Sequence, residues 1–202
     1  MSIVYILTNE SMPGFIKIGR TETSVTQRMT ELDKTSVPLP FQCFYAARVD
    51  DFAKVERALH TAFGDARVRP SREFFKLDPY KAKVVLELIA VEDVTPIDDE
   101  SIDREGQDAL DRAIRKGSRF DFSQYQVPVG AVLHHAQDPA ITCVVEDDQT
   151  VNYRGQSMSL SRAAGQANLD RGGQSTSFAG PRFWVFEGET LSSRRDRLTE
   201  DG

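Results

Sequence analysis

Two short runs near the start, "VYILTN" at 4–9 and "FIKIGRT" at 15–21, set the first constraint on the fold. Both are dense in Ile, Val, Tyr and Phe, residues that fit a pleated surface. The "NESMPG" between them carries Asn, Ser, Pro and Gly, which are turn formers. Two apolar runs joined by such a turn predict an antiparallel hairpin. Lys17 stands in the middle of the second run. It is either an exposed hairpin residue or part of a site that handles phosphate.

Residues 22–91 supply the rest of a small module. "SVTQRMTELDKTS" puts Val25, Met29 and Leu32 on one helical face, with Ser24 as the N-cap. "VPLPF" breaks that helix, and "FQCFYAARV" at 41–49 reads as a third strand. In "DDFAKVERALHTAFGDA" the residues Phe52, Val55, Leu59 and Phe63 recur at helical spacing, and Gly64 ends the helix. "REFFKL" is short and aromatic, and Asp78-Pro79 opens a closing helix. The expected fold is α+β. A three-stranded antiparallel sheet flanked by helices fills residues 1–91.

Residues 92–119 are polar and acidic and read as a linker that leads into a helix at "GQDALDRAIRKG". A second small α+β domain is expected over 120–197. It has strands in "VGAVLHHA", "ITCVVED", "TVNYRG" and "RFWVFEG", a turn at Asp147-Asp148, and a capped helix in "SLSRAAGQANL". "GGQSTSFAG" reads as a flexible loop and "TLSSRRDRLTEDG" as a polar tail, with 198–202 beyond the domain's end. His134 and His135 are adjacent, so in a strand they face opposite ways. With Cys143 they lack zinc-ligand spacing.

Charge locates the place to look for a polyanion. Residues 1–90 hold 13 Lys/Arg against 11 Asp/Glu, and residues 91–202 hold 12 against 20, from totals of 25 and 31. The net charge of −6 excludes a wholly basic DNA-binding protein, and the N-terminal half is the better candidate. No apolar run approaches the roughly 20 residues that span a bilayer, so no membrane partner is expected. The two cysteines, Cys43 and Cys143, have no pairing pattern, and no secretory leader is visible. A reduced, cytoplasmic compartment is expected.

The ordered features Tyr5, Lys17-Ile18-Gly19, Arg28 and Glu56 together carry a resemblance. Residues 1–90 resemble a GIY-YIG endonuclease domain, in the divergent phage Orf172-type branch whose second motif reads "KIGRT". Ile3-Val4-Tyr5 stands at the first motif and Lys17-Ile18-Gly19 at the second. Arg28 matches the helix arginine, Glu56 matches the metal-binding glutamate, and "REFFKL" fits the branch.

The resemblance implies a metal-dependent DNA endonuclease that hydrolyses phosphodiester bonds with Mg2+ or Mn2+. Tyr5 would act on the attacking water, Arg28 would bind the scissile phosphate, and Glu56 would anchor the metal. His60, four residues after Glu56 on the same helix face, would replace a histidine that many members carry where this chain has Leu32. Arg20, Arg28 and Arg72 would contact DNA. Lys17 replaces the motif tyrosine. It would bind phosphate as a point charge, help activate the water, or mark a catalytically silent DNA-binding protein that keeps the fold. A single site nicks, so double-strand cutting would take a homodimer or two successive events. Residues 125–195 resemble, less specifically, the restriction-enzyme-adenine-methylase-associated domains, which implies a DNA-recognition module.

Overall fold

The computed structural model describes residues 2–33, 37–97, 102–116, 120–176 and 178–200. Outside them lie 34–36 of the first expected helix, 98–101 and 117–119 of the expected linker, residue 177 of the expected loop, and 201–202 of the expected tail. The chain divides into two compact units, Met1–Leu110 and Asp111–Gly202. That division falls inside the stretch expected to be a linker.

In the first unit, β1 (Ile3–Asn9) and β2 (Phe15–Thr21) form the hairpin, with Tyr5 opposite Gly19 and Leu7 opposite Lys17. Asn9 closes the turn, as its side-chain oxygen accepts from the Ser11 amide at 2.8 Å. Helix α1 (Val25–Leu32) starts where expected, because the Ser24 hydroxyl accepts from the Gln27 amide at 3.0 Å. Strand β3 (Phe41–Arg48) then pairs with the other side of β1. Helix α2 (Phe52–Ala62) is capped by Asp51. Strand β4 (Phe74–Lys76) pairs with β2. Helix α3 (Pro79–Glu87) begins at Asp78-Pro79, and strand β5 (Glu92–Asp93) pairs with β3.

The sheet order is β4-β2-β1-β3-β5. The expected three strands are its centre, and two short strands extend it at both edges. Neither was legible, because two or three residues are too few to display an alternation. The first module therefore runs past residue 91, since β5 begins at Glu92.

All seven residues of β1 are buried, which explains why the run is apolar without alternation. It is covered on both faces. Ile3, Tyr5 and Leu7 pack with Val25 and Met29 of α1. The intervening residues point the other way, onto the face where α2 and α3 pack.

Helix α4 (Arg104–Lys116) crosses the division between the units. The second unit then builds an antiparallel sheet from β6 (Val132–His135), β7 (Thr142–Val145), β8 (Val151–Tyr153), β9 (Gln156–Met158), β10 (Trp184–Phe186) and β11 (Glu189–Thr190). Its order is β11-β10-β6-β7-β8-β9. Helices α5 (Leu160–Asp170), α6 (Gly180–Phe183) and α7 (Leu191–Glu200) complete it. Strands β6 and β7 alternate exposed and buried, as a sheet with one wet face does. The expected turn at Asp147-Asp148 forms, with the Asp147 carboxylate accepting from the Gln149 and Thr150 amides.

Two readings of this unit are corrected. "RFWVFEG" is not one strand, because Pro181 at the first turn of α6 makes the chain helical up to Phe183. The C-terminal "TLSSRRDRLTE" is not a tail but β11 and α7. Its Arg194 is buried and donates to the Tyr125 and Gln126 carbonyls while pairing with Glu187 and Glu189. The polar composition concealed a buried tether.

Helix α6 approaches α5 closely. A β-carbon on Gly180 would lie 2.4 Å from the Leu160 carbonyl carbon and from the Ser161 nitrogen. Both are backbone and cannot swing aside. We expect Gly180→Ala to cost about 1–3 kcal/mol of stability. Denaturant unfolding followed by fluorescence of Trp184, the chain's only tryptophan, would read it. A midpoint equal to wild type would show that the two helices can separate freely.

Candidate active site

Strand β4 stops at Phe74, opposite Lys17. Beyond that point, among the described residues, the Ile18–Arg20 edge of β2 has no further strand beside it. The Ile18 amide instead donates to the Glu73 carbonyl at 3.2 Å, and the Ile18 carbonyl takes a 3.0 Å hydrogen bond from His60 Nε2. Side chains from both faces of the sheet meet at this open edge.

On the α1 face lies Tyr5, 1% exposed. Its hydroxyl accepts from Arg28 Nε at 3.4 Å, and Arg28 also pairs with Glu31 at 2.8 Å. Gly19 makes this arrangement possible. A β-carbon there would sit 2.5 Å from the Tyr5 hydroxyl. The glycine of "KIGRT" thus admits the tyrosine directly opposite it in register.

Lys17 shares that face. It is buried, contrary to the exposed alternative, and forms an ion pair with Glu73 while lying beside the Tyr5 and Phe74 rings. Burial alone would raise the Glu73 carboxyl, but Lys17, His60 and Arg28 outweigh it and hold the group below its ordinary range.

On the α2 face, Glu56 pairs with Arg20 at 3.1 Å, and only 13% of its side chain is exposed. Burial, with the charge of Glu73, pushes the Glu56 carboxyl up; His60, Arg20 and Lys17 pull it back only in part. Burial also lifts the Tyr5 phenol, and Glu73 and Glu56 add to this against the opposing pull of Arg28. The tyrosine, the arginine and both carboxylates therefore act on one another electrostatically.

His60 is fixed twice, by the Ile18 carbonyl and by the Phe75 ring at 5.1 Å. The tautomer follows, since a carbonyl can only accept and Nε2 must carry the proton. Leu32 is half-buried against the core and serves packing. A cleft of about 290 Å³ opens between Arg20, Ala53, Glu56, Arg57, His60, Thr61 and Arg67. Of the sequence-derived candidates, Arg20, Glu56 and His60 line it. Arg28 and Arg72 stand outside that set. Arg72 supports it through its carbonyl, which accepts from Arg67 Nε at 2.7 Å.

Sequence reasoning missed Glu73, Arg57 and the role of Arg67. The only trace of Glu73 was its place just before the aromatic run "FFK". That placement becomes informative only once the run is paired with β2.

In the second unit the imidazoles diverge as expected: His134 is exposed, and His135 is buried between Phe183 and Trp184. Trp184 is fully buried and donates to the Leu160 carbonyl at 3.2 Å, so it is a core residue. Ser159 caps α5, and the Ser161 hydroxyl takes the Gly180 amide.

Among the described residues no group of three or more His, Cys, Asp or Glu is gathered in metal-ligand geometry. No described helix is long and apolar enough to cross a membrane.

These features define a class: an α+β domain whose sheet edge presents a tyrosine–arginine pair, two interacting carboxylates and a guanidinium-walled cleft. Residues 2–90 match the family model of the T5orf172 domain. The match lies within the first unit. No curated protein and no solved structure matches the chain.

Proposed function

We propose that the first unit is a GIY-YIG-type endonuclease that hydrolyses DNA phosphodiester bonds with a divalent metal, and that the second unit is its DNA-recognition module. The observation that carries this reading is the contact between the Tyr5 hydroxyl and Arg28 at the sheet edge that also holds Glu56. The T5orf172 match, to a phage-type domain associated with nucleases, supports it.

The donor set fits the metal. Mg2+ keeps several waters and takes one or two carboxylates besides substrate oxygens, and Glu56 is the one carboxylate that lines the cleft. A divalent ion held there would neutralise charge developing on the phosphoryl oxygens. Arg28 would place its planar fork on two oxygens of the scissile phosphate. The Tyr5 oxygen would accept the proton of the attacking water. Lys17, fixed by Glu73, would add positive potential beneath the phosphate.

One feature favours the catalytically silent reading. Arg20 occupies Glu56, and Glu73 occupies Lys17, so the charges of the site are already compensated. Plasmid nicking separates the two readings. We expect the protein to nick supercoiled DNA, modified or unmodified, with Mg2+ or Mn2+ and not with a chelator. Salt-sensitive DNA binding without nicking on either substrate would establish the silent binder. Double-strand cutting by this single-site unit would need a homodimer or two successive nicks.

A further inference from the structure

We infer that the cleft walled by Arg20, Arg57 and Arg67 is a second phosphate subsite, which binds a backbone phosphate beside the scissile one on the same strand. The inference rests on the nuclease reading only for what lies next to the cleft.

The walls state the ligand chemistry. Three guanidiniums, an imidazole and a threonine face a single carboxylate, Glu56. At about 290 Å³ the space is small for an apolar cofactor, whose pockets run from about 300 Å³ upward and are lined mainly by apolar groups. It suits a phosphate with parts of its flanking sugars. The acceptor-rich, doubly forked geometry of phosphate is what guanidinium recognises best.

The cations are ordered before any ligand arrives. Arg67 is held by the Arg72 carbonyl at 2.7 Å and lies 5.7 Å from the Phe75 ring centre. Arg20 lies 5.0 Å from the Phe52 ring centre. Less side-chain freedom is then lost on binding. Arg57 is exposed, and among the described residues its guanidinium has no ion-pair partner.

Helix α2 sets the spacing. Ala53, Arg57 and Thr61 fall on one face at intervals of four, and Glu56 and His60 fall on the adjoining face. Ala53 leaves the floor of the cleft open. The helix thus presents the Glu56 carboxylate and the subsite on adjoining faces.

Arg20 links the two positions. Without ligand it pairs with Glu56. The Arg20 end of the pair is 42% exposed, so a phosphate in the cleft can take the guanidinium and release the carboxylate.

The test is binding of a short labelled DNA duplex to the full chain in chelator, across a salt series. Removing this one phosphate contact with Arg57→Ala and Arg67→Gln together should lower the slope of log affinity against log salt by about 0.9. Arg57→Ala alone should lower it by part of that amount, since Arg20 and Arg67 still face the phosphate. That single variant keeps the assay decisive if loss of Arg67 disturbs the fold, because Arg57 is exposed. Arg57→Lys should restore the slope. An unchanged slope in the double variant overturns the subsite, whatever the nicking assay gives. A variant that loses binding of inorganic phosphate while its duplex affinity stays unchanged would put a free anion in the cleft and also overturn it. A reduced slope in a protein that never nicks keeps the subsite and removes the nuclease reading instead.

Discussion

Glu56→Ala should lower metal-dependent nicking by about 10³-fold or more while leaving the fold intact. The two halves of that expectation have separate causes. Activity falls because Glu56 is the only carboxylate among the described residues that line the cleft, and Glu73 is committed to Lys17. Stability holds because the Glu56 carboxyl is raised by burial and by Glu73. A carboxyl raised in the folded state favours folding at low pH, and that contribution is lost as the pH rises through its folded value. At neutral pH the group therefore does not support the fold. Arg20 loses a partner, but it is 42% exposed and can turn to water. The measurements are the nicking rate and the unfolding midpoint of the same preparation. Nicking at the wild-type rate would remove Glu56 from the reaction.

Tyr5→Phe should cost about 10² to 10⁴ in single-turnover cleavage, the usual worth of a positioned proton acceptor. Phenylalanine keeps the ring that packs over Gly19 and removes only the oxygen that meets Arg28. The pH profile identifies the role. Burial, with Glu73 and Glu56, holds the phenol protonated above its ordinary value. The wild-type rate should then climb about tenfold per pH unit with no plateau below about pH 10, and the variant should be flat. Stability provides an independent reading. A folded value above the unfolded one means that the stabilisation is complete below about pH 10 and is lost as pH rises through the folded value. Wild type should weaken relative to Tyr5→Phe only in that alkaline range. A variant with the wild-type profile would place the proton acceptor elsewhere.

Much of the local structure was readable. Ser24, Asp51 and Asp78 accept from nearby backbone amides, and such caps act over two or three residues. The recurrence of Phe52, Val55 and Leu59 marks α2 because helical periodicity is also local. The hairpins at Arg154-Gly155 and Glu187-Gly188 were not readable. Both central residues take positive φ, with Arg154 at 50° and Glu187 at 50°. Arginine and glutamate are not the residues that usually announce such turns. Strand β9 and strand β11 were missed with them.

The site divides along the same line. The sequence by itself determined the hairpin, the helices that carry Arg28 and Glu56, and the order of Tyr5, Lys17, Gly19, Arg28, Glu56 and His60. Each of these rests on interactions between residues close in the chain. Only the tertiary structure decided that β4 ends opposite Lys17 and leaves the next stretch of β2 uncovered. That choice brings Glu73 to Lys17 across 56 residues and His60 to Ile18 across 42. It also turned Lys17 from a surface charge into a buried one. Contacts at such separation depend on which strand edges find each other, and that is set by packing of the whole sheet against its helices. No stretch of a few residues carries that information.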